Sequence, residues 1–238
     1  IHPGDVMVTT IIKGESASIM WAAGSLVSHT AIFLRHPDTQ EMYVVESTET
    51  GSGGVWKFPA TEFLKNHSAW YFNAVHLPLK EELRKGFDND AAWKKFVTEF
   101  EGYEYGYRNL LFSAVDTLKG NYPCLPMDNY QTCLSWELIE ILAGQLERSK
   151  PNMANALFLE ALSNRLGTSG LPFIELLKLA DSKLEGGAAT LPSIPEQDEW
   201  TYHNHRNGTP TVGPSRVCSA LVCEMLRAGG ALGDHNVS

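Results

Sequence analysis

Ser28-His29-Thr30-Ala31-Ile32-Phe33-Leu34-Arg35, followed by His36-Pro37-Asp38-Thr39-Gln40 and then by Glu41-Met42-Tyr43-Val44-Val45-Glu46-Ser47, is the stretch that decides the fold. Two runs rich in β-branched and aromatic residues flank a segment in which Pro and Asp pre-set turn geometry, so the stretch reads as a β-hairpin. Alternation places His29, Ala31 and Phe33 on one face of the first strand and Thr30, Ile32 and Leu34 on the other. If Ala31 stands opposite Glu46, then His29 and Glu46 are diagonal neighbours on one face. A slip of one residue would put them on opposite faces.

Outward from the hairpin, Gly4–Ile12 reads as a strand before it. Gly54–Phe58 reads as a short strand after it, Pro59–Lys65 as a short helix, and Trp70–Pro78 as a further strand. From Glu81 the period changes. Trp93, Phe96, Val97 and Phe100 recur at helical spacing. Tyr107–Leu118, Cys133–Leu146, Asn152–Arg165 and Pro172–Leu184 read as helices, and residues 121–132 as a loop containing Pro and Cys. Ala188–Gly213 reads as a polar loop, and Ser215–Ala228 as a last helix that stops at Gly229-Gly230. Strands first and helices later make an α+β protein. The expected organisation is one domain from residues 1–120 and 212–238, with 121–211 as a mainly helical insertion.

The chain has 238 residues and a net charge of −9. No Lys/Arg cluster offers a basic face for nucleic acid, and the acidic balance argues against docking on anionic membranes. No apolar run approaches the roughly 18 residues that cross a bilayer. The spacings of Cys124, Cys133, Cys218 and Cys223 match no zinc pattern. His203 and His205 lie in a polar segment with no third ligand at a telling distance, and His235 does not supply one. Gly51-Ser52-Gly53-Gly54 lacks the Lys-Ser/Thr and the helix of a phosphate loop. No metal or organic cofactor is called for. Cys124 and Cys133 flank a short Pro-containing loop and are expected to form a disulfide if the protein is exported. Asn66, Asn207 and Asn236 head glycosylation sequons, the second weakened by Pro210. Together these favour an extracytoplasmic setting: a secreted or vesicle-lumen glycoprotein.

The chemistry-bearing candidates are Cys218 and His29. In Pro214-Ser215-Arg216-Val217-Cys218-Ser219-Ala220-Leu221-Val222-Cys223-Glu224, Ser215 reads as the helix cap and Cys218 falls in the first turn. There the helix dipole and unpaired N–H groups favour a thiolate and can hold an oxyanion. The plain alternative is a small buried residue on an amphipathic helix, which describes Cys223 better. His29 with Glu46 beside it is either a structural pair or a base and its orienting carboxylate. No local spacing joins Cys218 to His29.

Several motifs, taken in order, resemble the circularly permuted papain-like amidases and peptidases, the YiiX-like permuted relatives of NlpC-type cysteine peptidases. Gly4-Asp5-Val6-Met7 resembles their Gly-Asp-hydrophobic opening. Ser28-His29-Thr30-Ala31-Ile32 is similar to the strand that supplies their histidine, and Tyr43-Val44-Val45-Glu46-Ser47 to the strand that orients it. Gly54-Val55 with Pro59–Leu64 resembles their next strand and short helix. Cys218-Ser219-Ala220-Leu221-Val222 resembles their Cys-Ser-Glu-Leu-Val, with Ala220 departing from the usual Glu. The resemblance covers roughly residues 4–118 and 212–230; residues 119–211 have no counterpart in it. It implies a permuted papain-like fold, an antiparallel sheet packed on the nucleophile helix. It also implies a cofactor-free thiol hydrolase acting on a peptide, amide or isopeptide bond, with Cys218 as nucleophile, His29 as base and Glu46 as orienting group. The wider group includes lecithin retinol acyltransferase-like enzymes. An acyltransferase or lipid hydrolase with the same residues therefore stays open, as does a non-catalytic binding module on the same scaffold.

Overall fold

The computed structural model describes residues 1–12, 20, 25–48, 53–67, 72–108 and 136–233. Within them the chain is α+β, and it divides into two compact units. The first comprises residues 1–106 and 203–237, the second residues 107–202. Most of the expected helix at 107–118, the Pro/Cys loop at 121–132 and the Cys124–Cys133 pairing lie outside the described residues, as does Asn236.

The first unit is built on five strands: β1 (Val6–Thr10), β2 (His29–Arg35), β3 (Met42–Thr48), β4 (Gly54–Pro59) and β5 (Asn73–Leu77). They form an antiparallel sheet in the order β4-β3-β2-β1-β5. The hairpin register pairs Ile32 with Val45 and Phe33 with Val44. Continued by one residue, it sets Ala31 opposite Glu46. Alternation then divides the sheet's apolar residues between two clusters. Met7, Ala31, Phe33 and Val44 pack with Ala60 and Phe63 of helix α1 (Ala60–His67). Ile32, Leu34, Val45 and Val55 pack on the other face. Their partners are Trp93 of α3 (Asn89–Lys95), Phe96 and Phe100 of the wider π-helical turn that continues it, and Leu221, Val222 and Met225 of the last helix. Before α3 comes a short surface helix, α2 (Glu81–Gly86).

The Gly4-Asp5 opening has a structural reason. Asp5 is fully buried and accepts from the His2 and Leu79 N–H groups, from Arg84 and from the His76 ring. Burial alone would raise its carboxyl pKa. The His2 N–H, the His76 ring and the Leu79 N–H outweigh that and hold it below the usual value. One carboxylate thereby ties the start of β1 to the segment after β5.

The second unit has its own core. Helices α4 (Trp136–Ser149), α5 (Pro151–Ala154), α6 (Glu160–Leu166) and α7 (Phe173–Lys183) precede a 3-10 segment at Gly187–Ser193. Phe158, Leu162, Phe173, Leu176 and Leu191 are buried together. Arg165 is buried beside them, its guanidinium donating to the Ala161 and Ile194 carbonyls. Among the described residues no helix is long and apolar enough to cross a membrane.

The polar loop expected over 188–213 is not one loop. Beyond the 3-10 segment, β6 (Tyr202–Arg206) and β7 (Thr209–Gly213) pair as a two-stranded sheet. Asn207 and Gly208 turn between them with φ of 51° and 75°. Asn-Gly is the strongest two-residue hairpin signal, because both central residues need positive φ. Pro210 is tolerated because a two-stranded sheet leaves outward backbone groups that need no partner. From His203 onward this hairpin belongs to the first unit, so the border falls at 202/203 rather than at 211/212.

Candidate active site

His29 is the first residue of β2, and Glu46 stands on the neighbouring strand at the diagonal position. The His29 Nε2 lies 2.7 Å from Glu46 Oε2; Glu46 is buried and His29 is partly buried. Glu46 thereby occupies one ring nitrogen and leaves Nδ1 for another partner. Cys218 lies close enough to the His29 ring for each to shift the pKa of the other.

Cys218 opens the last helix, α8 (Cys218–Ala228). The cap is Val217 rather than Ser215, and no side chain caps the helix. Side chains from elsewhere explain the late start, because they hold the preceding backbone carbonyls. The Ser47 hydroxyl donates to the Arg216 carbonyl (2.8 Å), and the Asn204 amide donates to the Pro214 carbonyl (2.8 Å). The Arg216 guanidinium is itself buried against Glu224 at 3.3 Å. The first intrahelical bond runs from the Leu221 N–H to the Val217 carbonyl. The N–H groups of Cys218, Ser219 and Ala220 therefore have no acceptor one turn back within α8, and they carry the positive end of its dipole.

The electrostatics of the three side chains agree with one another. Burial opposes charging of His29. Hydrogen bonds to Cys218 and Glu46, and their charges, outweigh it and raise the ring pKa to about 10. Burial likewise opposes the Cys218 thiolate. The His29 hydrogen bond and charge, with the Thr30 N–H and hydroxyl, outweigh it and bring the thiol pKa below its ordinary value. Both shifts favour the same state, a thiolate–imidazolium pair. Cys223 is the contrast. In the same helix, burial raises its pKa, with opposing influences from Arg227 and Glu224.

The structure brings Cys218, His29 and Glu46 together. The His205 ring pairs with Glu104 at 2.9 Å. Among the described residues no cluster of His, Cys, Asp or Glu is suited to hold a metal ion. Sequence reasoning missed Thr30 and Ser47. The signal for both was alternation, which puts each next to a candidate residue but on the helix-bearing face.

No protein-family model matches the chain. No curated protein is significantly similar to it.

Proposed function

We propose that the chain is a thiol hydrolase that cleaves an amide, peptide or isopeptide bond through a thioester on Cys218. The observation that carries this reading is the array Glu46–His29–Cys218, with the thiol at an uncapped helix N-terminus. In a papain-like enzyme of permuted order the chain runs His, acid, Cys, as it does here. An antiparallel sheet with the nucleophile helix against one face supports the same reading.

In the proposed reaction His29 holds the Cys218 proton. The thiolate attacks the substrate carbonyl carbon, and the carbonyl electrons move onto oxygen. N–H groups at the start of α8 stabilise that charge. His29 gives its proton to the leaving nitrogen as the C–N bond breaks, and a thioester remains. Water, losing a proton to His29, then hydrolyses the thioester and returns the thiol. Glu46 keeps the ring orientation and stabilises imidazolium. The metal-free chemistry needs no cofactor. The exposed Asn207 at the hairpin tip would seat a glycan without burying it, in keeping with an extracytoplasmic setting.

The test is alkylation by iodoacetamide, read at Cys218 by mass spectrometry across pH, with Cys223 as the internal comparator. Cys218 should react with a midpoint well below the ordinary thiol value of 9.0. An ordinary midpoint, or an inert Cys218, would overturn the reading in favour of a binding module. Trapping the acyl-enzyme with an activated ester, then comparing water with amine and alcohol acceptors, separates hydrolase from acyltransferase. Cys218→Ala should abolish acyl-enzyme formation altogether.

A further inference from the structure

Two residues before Cys218 stands a buried arginine whose partner is a buried carboxylate on the helix that Cys218 opens. Arg216 and Glu224 are 6% and 7% exposed. The Arg216 guanidinium folds back along α8 and brings both Nε and Nη2 to 3.3 Å from Glu224 Oε1. It also lies over the Phe100 ring, 5.9 Å from its centre. The other carboxylate oxygen faces Lys95 of α3 at 3.7 Å and Arg227 at 3.9 Å. A buried ion pair of this kind adds little net stability, because desolvation of both charges offsets their attraction. What it supplies is geometry. A planar guanidinium with two N–H groups on one oxygen restricts where its own backbone can lie. That backbone is also held from the sheet, where the Ser47 hydroxyl donates to the Arg216 carbonyl at 2.8 Å. A third hold comes from residue 106, where only glycine leaves room for it. Residue 216 is thus clamped by β3, by Gly106 and by α8 itself, immediately before the N–H groups that open the helix.

We propose that Glu224 is a positioning residue: through Arg216 it sets where α8 opens, and so aims the Cys218, Ser219 and Ala220 N–H groups at the substrate's carbonyl oxygen. This rests on the thiol reading above. Glu224 neither touches the substrate nor gives or takes a proton. Its carboxylate ties the 214–217 turn to α8, so that turn and helix stay in one register as the carbonyl carbon becomes tetrahedral. An oxyanion is stabilised by donors aimed in advance, and a misplacement of about 1 Å costs about 100-fold in rate. Glu224 therefore serves attack on a carbonyl, in which charge grows on oxygen. It does not serve alkylation of the same sulfur by iodoacetamide, in which iodide leaves and no oxyanion forms.

The contrast between those two reactions is the test, in the full chain and at a pH where alkylation has reached its plateau. Glu224→Gln and Arg216→Met are each expected to slow acylation of Cys218 by p-nitrophenyl acetate, read as the burst of p-nitrophenol, by about 10- to 100-fold. Alkylation by iodoacetamide should stay near the wild-type rate. The double variant should be no slower than the slower single variant, because Glu224 acts through Arg216. Lys95→Met removes a cation from the same carboxylate and should leave both rates near wild type; slowing equal to that of Arg216→Met would overturn the assignment. A merely structural role lowers the denaturation midpoint and leaves the ratio of the two rates unchanged, which would overturn the proposal. Additive losses in the double variant would overturn the route through Arg216. If Glu224→Gln does not fold, Arg216→Met combined with Glu224→Met replaces the pair by apolar side chains, and the same ratio decides. A low wild-type midpoint and a wild-type burst, with that ratio unchanged in the variants, overturn the Glu224 proposal alone. An ordinary wild-type midpoint overturns it together with the thiol reading.

Discussion

The opposed pKa shifts of His29 and Cys218 have a signature in the stability of the protein. His29 has an ordinary pKa of 6.5, raised to about 10 in the fold, and Cys218 has an ordinary value of 9.0, lowered in the fold. A raised basic group contributes stability that is complete below 6.5 and is lost as pH rises through about 10. A depressed acidic group contributes stability that is present above 9.0 and is lost as pH falls through its lowered folded value. Between 6.5 and 9.0 the unfolded chain carries a thiol and a neutral imidazole; above the lowered thiol value within that range the folded chain carries a thiolate and an imidazolium. The proton count is then the same in both states, so this pair gives no pH dependence there. Denaturant unfolding of wild type and Cys218→Ala from pH 5 to 10 should show this in the difference between them. That difference should fall above about 9, where the unfolded thiol ionises while the folded imidazolium keeps its proton up to about 10. A difference independent of pH would refute the ion pair. Glu46→Ala should slow the proposed reaction less than Cys218→Ala, because an orienting group contributes less than the nucleophile it serves. Steady-state rates on an activated ester measure both. At this scale His29 and Glu46 were legible as candidates, but whether they share a face turned on the hairpin register, which the pairing of Ile32 with Val45 decides. Their link to Cys218, distant in sequence, was not in any local spacing; it came from the resemblance.

Strand β3 relates the two halves of the candidate site. Its neighbouring residues point to opposite faces: Glu46 to the His29 ring, and Ser47 to the Arg216 carbonyl just before Cys218. One rigid element thus fixes both the imidazole and the turn that carries the thiol. Gly106 holds the same turn from another side. A Cβ there would fall within the backbone of Arg216 and Val217, so any larger residue must push the turn away. Gly106→Ala should lower the rate of acyl-enzyme formation by up to about 100-fold, the scale expected for an ångström of misplacement at a reacting group. Ser47→Ala leaves the buried Arg216 carbonyl without that donor and should cost about 1–3 kcal/mol of stability, measured by denaturant unfolding. Unchanged acylation in a folded Gly106→Ala variant would show that the turn has slack. The elements around this turn were the hardest to read from the sequence. Ser215 has the residue type of a cap, yet tertiary hydrogen bonds keep 214–217 extended and the helix opens at Cys218. The β6–β7 hairpin was read by composition as a loop. The decisive signal was Asn207-Gly208, flanked by Thr209, Thr211 and Val212, and it was present all along.

For the whole chain, each hydrophobic cluster draws its buried residues from one unit alone. The strand clusters and α8 lie within residues 1–106 and 203–237, and the cluster of Phe158, Leu162, Phe173, Leu176 and Leu191 lies within 107–202. Helical periodicity makes part of this second core legible in the sequence: Leu162 and Leu177 fall on apolar stripes and are buried, whereas Ile174, at the same spacing as Leu177, is exposed. Its borders were less visible, since they depend on where the β6–β7 strands pair. Cores of this kind open locally, with free energies set by their own packing. Leu176 and Leu221 are both completely buried, one in each unit. Truncating either to Ala removes a comparable side chain and should cost about 2–5 kcal/mol in its own core. The consequences should differ in place. Leu176→Ala should lower native-state amide protection across α6 and α7 and leave the pH midpoint of Cys218 alkylation where it is. Leu221→Ala, one turn after Cys218 in α8, should lower protection in α8 and β2 and raise that midpoint, because the lowered thiol pKa depends on the seating of the helix. If Leu176→Ala moved the midpoint as far as Leu221→Ala does, the two cores would have to be treated as one cooperative body.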